Sequence, residues 1–146
     1  MEKLEEWISL SVVDYRRGEE GWVVSERPGA IPDGVLGKER LYEVYLEAEP
    51  TYTGRVTVPV LWDKQEGTIV NNESAEIIRM FNSEFDGVGA KPGDYYPADL
   101  AEEIDAVNER VYETVNNGVY RTGLATRQKA YELAPIHITE PTRPYS

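Results

Sequence analysis

The chain has 146 residues, 40% hydrophobic and 29% charged, which is a globular composition and enough for one domain, or one domain and part of another. Its 27 acidic and 15 basic side chains leave a net charge of −12, a field that repels phosphate backbones and anionic lipid and argues against nucleic-acid and membrane-surface partners. The absence of cysteine removes disulfides, thiolate metal sites and any sulfur nucleophile, and an acidic start with no apolar run near the roughly twenty residues of a bilayer span predicts a soluble, cytoplasmic chain.

Residues 3–7 fit the last turn of a helix. Ile8, Leu10 and Val12 then alternate with Ser9, Ser11 and Val13, the period of a strand. From Arg16 to Gly37 the chain is rich in glycine, proline and charge and is predicted to be an extended loop. Leu41, Val44 and Tyr45 have helical spacing, so Lys38–Glu47 is predicted as a short helix ending before Pro50. Val56, Val58, Val60 and Trp62 occupy every second position, the strongest strand signal in the chain. Pro59 interrupts it and, having no N–H to give a ladder, belongs at an edge, a bulge or a special turn. Asp63–Gly67 reads as a polar turn and Thr68–Val70 as the return strand of a hairpin.

Asn71 and Asn72 are good helix caps, and Ser74, Ile77, Ile78, Phe81 and Phe85 predict a helix over Glu73–Phe85. Asp86–Tyr96 contains glycines and reads as a linker and domain boundary. Pro97 suits a first helical position, and Leu100, Ile104, Val107, Val111 and Val115 form a long apolar stripe that Asn116-Asn117-Gly118 is predicted to end. An amphipathic stretch follows over Thr126–Ala134, then a proline-containing tail, Pro135–Ser146.

Four stretches, in order, carry a resemblance: Gly18-Glu19-Glu20-Gly21-Trp22-Val23, Arg55-Val56-Thr57-Val58-Pro59-Val60-Leu61-Trp62-Asp63-Lys64, Asn71-Asn72-Glu73-Ser74-Ala75-Glu76-Ile77-Ile78-Arg79-Met80-Phe81-Asn82, and Val115-Asn116-Asn117-Gly118-Val119-Tyr120-Arg121. They are similar to the glutathionyl-hydroquinone reductases, the Xi class of the glutathione transferases, over about Ser9 to Ala134. The resemblance implies an α/β fold. A partial thioredoxin-like, glutathione-binding domain that lacks its first strand would occupy residues 1–86, with a linker at 87–97. The first helices of an all-α C-terminal domain would follow over 98–134, with a divergent tail at 135–146. Members of the family attack a glutathionylated hydroquinone with a thiolate cysteine, and a second glutathione releases the mixed disulfide. That cysteine follows the first strand, so this chain is expected to begin beyond it, as a truncated or frame-shifted reading frame would.

The resemblance also implies site residues. Pro59 matches the family's cis proline, which exposes the Val58 backbone to pair with the cysteinyl part of the tripeptide as an added strand does; without the motif, a trans proline at an edge is the favoured reading, since few X–Pro bonds are cis. Ser74 would hold the γ-glutamyl carboxylate at a helix N-terminus and Glu73 its ammonium group, against a reading of both as ordinary first-turn residues. Trp22 would pack on the tripeptide, or simply cover a core edge, and Arg55 would lie near the carboxylates. Tyr120 would line the quinone side of the cleft, where a phenol can bond a substrate oxygen, against plain packing. The co-substrate implied is glutathione or a related γ-glutamyl thiol, with no metal.

Other patterns carry nothing. His137 is the only histidine, so no triad or histidine metal site can be built. Gly87-x-Gly89-x-x-x-Gly93 lacks dinucleotide-loop spacing, Asn72-Glu73-Ser74 is a sequon without a secretory context, and Glu102-Glu103-Asp105 is a solvated helix face. Ten arginines against five lysines in so acidic a chain suit a salt-rich cytoplasm. Without a first strand, Ile8–Val13 and Val56–Trp62 lose their shared neighbour and expose unpaired backbone groups. A non-catalytic interaction module, completed by a complementing chain or by strand exchange in a homo-oligomer, is therefore the alternative to an inactive thiol-binding remnant.

Overall fold

The computed structural model describes residues 7–88 and 93–132. The chain divides into two compact units, Met1–Tyr95 and Tyr96–Ser146. The readings at residues 3–6, Gly89, Leu133–Ala134, His137 and the 135–146 tail lie outside the described residues.

In the first unit, α1 (Leu41–Ala48) buries Tyr45, and its start is held by Glu43, whose carboxylate accepts the amides of Arg40 at 2.8 Å and Glu39 at 3.2 Å. The predicted start at Lys38 is too early. The Lys38 amide is tied back to Asp33 Oδ2 at 3.1 Å, while Asp33 Oδ1 accepts the amides of Val35 and Leu36, so these residues complete a loop instead. Strands β1 (Leu61–Asp63) and β2 (Thr68–Asn71) pair antiparallel, with Trp62 opposite Ile69 and a register shift between Leu61 and Trp62. The turn forms because Asp63 Oδ1 accepts the amides of Gln65 at 2.7 Å and Glu66 at 2.9 Å, and Gly67 takes a φ of 65° that other residues resist. Helix α2 (Ser74–Ser83) follows, with Ile77 buried and Phe81 edge-on to Phe85 at 5.4 Å.

Two predicted strands are corrected. Of Ile8–Val13, only Val12 pairs, exchanging both backbone bonds with Ile31 at 3.0 and 2.9 Å. The Asp14 amide then bonds the Val23 carbonyl at 2.7 Å, so this segment leans on the 16–37 loop instead of joining the sheet. Of Val56–Trp62, only Leu61 and Trp62 lie in the ladder, and the Val58–Pro59 peptide bond is cis. Alternation marks a segment able to pair, and pairing also needs a neighbour.

In the second unit, Pro97 does not open a helix: Leu100 N–H closes a turn onto the Pro97 carbonyl at 3.0 Å, and α3 begins at Ala101. Helix α3 (Ala101–Val111) runs into a π-helical turn at Tyr112–Asn116 and on into α4 (Asn117–Gly123). The predicted stop at Asn116-Asn117-Gly118 is thus overturned. Glycine ends a helix by turning left-handed, whereas here Asn116 (φ −62°, ψ −53°) and Asn117 (φ −72°, ψ −28°) stay right-handed and Gly118 is buried within α4. Helix α5 (Gln128–Glu132) lies inside the predicted final stretch. The architecture is α/β: a helix–hairpin–helix unit as expected of a partial thioredoxin-like domain, then a unit whose described elements are all helical. Among the described residues, no helix is long and apolar enough to cross a membrane.

Candidate functional site

In the first unit, the stretches that carry Val58 and Pro59 and that carry Glu73 and Ser74 are linked through one hydroxyl, that of Tyr45. Tyr45 is 4% exposed, and its phenol has one proton and two lone pairs to place. The O–H donates to the Thr57 carbonyl at 3.0 Å, and the oxygen accepts the Thr57 amide at 3.3 Å and Asn72 Nδ2 at 3.0 Å. Asn72 Nδ2 also reaches Thr57 Oγ1 at 3.0 Å. A side chain of α1 thereby takes both backbone groups of Thr57, as a neighbouring strand would, and ties them to the residue before Glu73. The Tyr45 ring is steadied by Tyr52, 5.0 Å away. Tyr52 in turn donates its hydroxyl to the Arg55 carbonyl at 2.6 Å. A Cβ on Gly54 would come within 2.5 Å of that hydroxyl, so a larger residue there would have to displace the Tyr52 side chain.

Beyond Thr57, Val58 is 43% exposed, and among the described residues no hydrogen bond reaches its amide or carbonyl. Pro59 is exposed as well. Beyond Asn72, the Glu73 amide bonds Asn71 Oδ1 at 2.7 Å and the Glu73 carbonyl accepts the Ile77 amide at 3.0 Å. No side chain caps α2, and Glu73 and Ser74 are both exposed at its start. Of the two predicted caps, then, Asn71 serves the Glu73 amide, while Asn72 turns away to Tyr45 and Thr57.

Trp22 follows a tight reversal in which Gly18 and Gly21 exchange two backbone bonds of 3.1 Å, with Gly21 at φ 81°. The half-buried Trp22 accepts the Leu41 amide on its carbonyl at 2.9 Å, and the Arg40 guanidinium pairs with Glu20 at 2.8 Å, fastening this loop to the start of α1. The Glu20 carboxylate raises the Arg40 pKa. Deeper in the loop, the buried Asp14 accepts Ser25 Oγ at 2.6 Å and the Arg16 amide at 2.7 Å. These bonds, the Ser25 hydroxyl first, hold its carboxyl below the usual carboxylate range, with the Arg27 guanidinium 3.5 Å away adding to them. Arg55 is exposed in the segment that Tyr52 grips. Tyr120 belongs to the second unit, on α4, and is 70% exposed.

Sequence reasoning missed Tyr45, Thr57 and Asn72. Tyr45 lies in the apolar pattern of α1 and reads there as core, and nothing local links it to an asparagine 27 residues on.

Residues 13–84 match the glutathione S-transferase N-terminal domain. The glutathionyl-hydroquinone reductase PcpF of Sphingobium chlorophenolicum is 60% identical over 131 residues, which are 90% of this chain and 42% of that protein. The glutathione-bound structure of YqjG, a glutathione transferase homologue from Escherichia coli K-12, superposes with a TM-score of 0.84 at 57% identity, covering 90% of this chain and 43% of that one. The crystal structure of glutathione transferase Xi 1 from Trametes versicolor superposes with a TM-score of 0.82 at 50% identity, covering 92% and 49%. The chain thus spans less than half the length of each of these relatives.

Proposed function

The chain belongs to the Xi class of the glutathione transferases, and from that premise we propose that its first unit binds glutathione or a related γ-glutamyl thiol without carrying out thiol exchange. Val58 pairs its free amide and carbonyl with the cysteinyl residue of the ligand, next to Pro59. The first amides of α2, with the Ser74 hydroxyl, receive the γ-glutamyl carboxylate at the positive end of the helix, and Glu73 receives the ammonium. Trp22 packs on the tripeptide and Arg55 faces its carboxylates. The helices that start at Ala101 begin an all-α domain in which Tyr120 meets a hydroquinone oxygen. Exchange itself needs a thiolate to attack the glutathionyl sulfur, and this chain has no cysteine. The ligand is small and soluble, and we place the protein in the cytoplasm, with neither nucleic acid nor membrane as partner.

The observation that carries this reading is the pairing of two exposed, unused sets of backbone groups, at Val58 and at the uncapped start of α2, held by one network through Thr57 and Asn72. Calorimetric titration with glutathione tests it. Ser74→Ala and Glu73→Gln should each weaken binding about tenfold, or ~1.4 kcal/mol, with the melting temperature unchanged. Wild-type affinity in both variants would defeat the assignment. Glutathionyl-hydroquinone should be turned over no faster than in buffer, and real turnover would defeat the loss of exchange.

A second reading, an interaction module completed by a complementing chain or a second copy, draws on burial. Tyr45 and Ile77 are the buried hydrophobic side chains among the described residues, while Ile78 is 62% and Val107 60% exposed. Sedimentation showing a stable monomer would remove it.

A further inference from the structure

We propose that Tyr45 is a positioning residue for the ligand: its hydroxyl sets the spacing between the segment that pairs with the cysteinyl backbone and the helix start that takes the γ-glutamyl end. The inference rests on the binding reading above and adds to it a residue that touches no ligand. The Tyr45 oxygen bonds Thr57, the neighbour of Val58, at 3.0 and 3.3 Å, and Asn72, the neighbour of Glu73, at 3.0 Å. Asn72 closes the triangle on Thr57 Oγ1 at 3.0 Å. Each half of the site is therefore one residue from the same hydroxyl. A ligand that spans both halves gains from their being held at a fixed separation before it arrives, whereas a ligand that uses only one half does not.

The same geometry separates positioning from stability. Thr57 is exposed and Asn72 half-buried, so water can replace the phenol on their polar groups. Phenylalanine at 45 would keep the ring against Tyr52 and in the core. Deleting the hydroxyl should thus loosen the spacing of the two halves while leaving most of the packing in place.

The test compares two ligands by NMR titration of the whole chain. Glutathione spans both halves, and L-glutamine, the γ-amide of glutamate, occupies only the α2 end. Tyr45→Phe should weaken glutathione by about five- to tenfold, through the lost preorganisation of the two halves, and leave the glutamine Kd within about twofold. Asn72→Ala removes the same link from the other side and should behave alike. An unchanged glutathione Kd in both variants overturns the proposal, and so does an equal loss for both ligands, which would mean general loosening. If the wild-type chain binds neither ligand, the binding reading itself falls and takes this inference with it.

Discussion

In the first unit several side-chain bonds reach far along the chain: Asn72 to Tyr45 spans 27 residues, Arg40 to Glu20 spans 20, and Ser25 to Asp14 spans 11. Among the described residues of the second unit, these bonds are shorter in range. Thr114 and Thr122 donate to carbonyls four residues back, Arg121 pairs with Glu113 eight residues away, and Tyr96 meets Asp105 at nine. Among the described residues, the first unit therefore has bonds that join distant segments, whereas the second is a helical run whose apolar stripe, with Val107 at 60% and Val111 at 42% exposure, adds little burial. Among the described residues, polar contacts join distant segments of the first region, while those of the second lie within its helices or between near neighbours.

Substitutions that act on one region alone test that difference. The largest effect is expected from Tyr45→Ala, which removes a core ring and the hub of the network together. It should cost about 3–5 kcal/mol and abolish the cooperative urea transition of the first unit, while the amides of residues 101–123 exchange as before. Parallel changes in both units would show that the regions are coupled after all.

Asp14→Asn should produce a smaller loss that depends on pH. The Ser25 and Arg16 bonds hold the Asp14 carboxyl below its unfolded value, so its contribution is complete above that value, near 3.8, and disappears as the pH falls through the folded one. The variant should be less stable than wild type at pH 7, and the gap should close below about pH 4, as read by thermal melts across that range. A gap that stays constant down to pH 3 would rule out the carboxylate as its source.

Smaller again is Ala106→Gly in the middle of α3, expected to cost about 1 kcal/mol and seen as faster amide exchange over 101–111 with the first unit's transition in place. The least is expected from Glu113→Ala. The Arg121–Glu113 pair is more than half exposed on both sides, so its loss should change helicity by less than about 0.5 kcal/mol and vanish in high salt.

Much of the frame was legible because it is written locally. The hairpin follows from alternation and the Asp63–Gly67 turn, and α2 from the spacing of Ile77, Ile78 and Phe81. The candidate site was legible only through motif resemblance, since Ser74 at a helix start and Pro59 in a valine run have ordinary explanations. What stayed hidden depends on distant partners. Asn72 is equally suited to cap a helix or to bridge two segments, and the choice is made by Tyr45, which is remote in the chain. Ile8–Val13 has a strand's alternation, but only Val12 meets a partner backbone. Asn116-Asn117-Gly118 has a stop's composition, and the conformation of its asparagines, which composition does not set, decides against it.

The π-helical turn at Tyr112–Asn116 has a further consequence for how related chains are aligned. Such a turn holds one residue more than its α-helical counterpart, and each residue advances an α-helix by about 100°. Side chains from Asn117 onward are therefore rotated by about that angle from where a regular continuation of α3 would put them. A one-residue gap falling within Tyr112–Asn116 in a homologue is accordingly a ratchet of the helix about its own axis, exchanging which residues share a stripe while leaving the rod continuous, and is not the shortening of a loop.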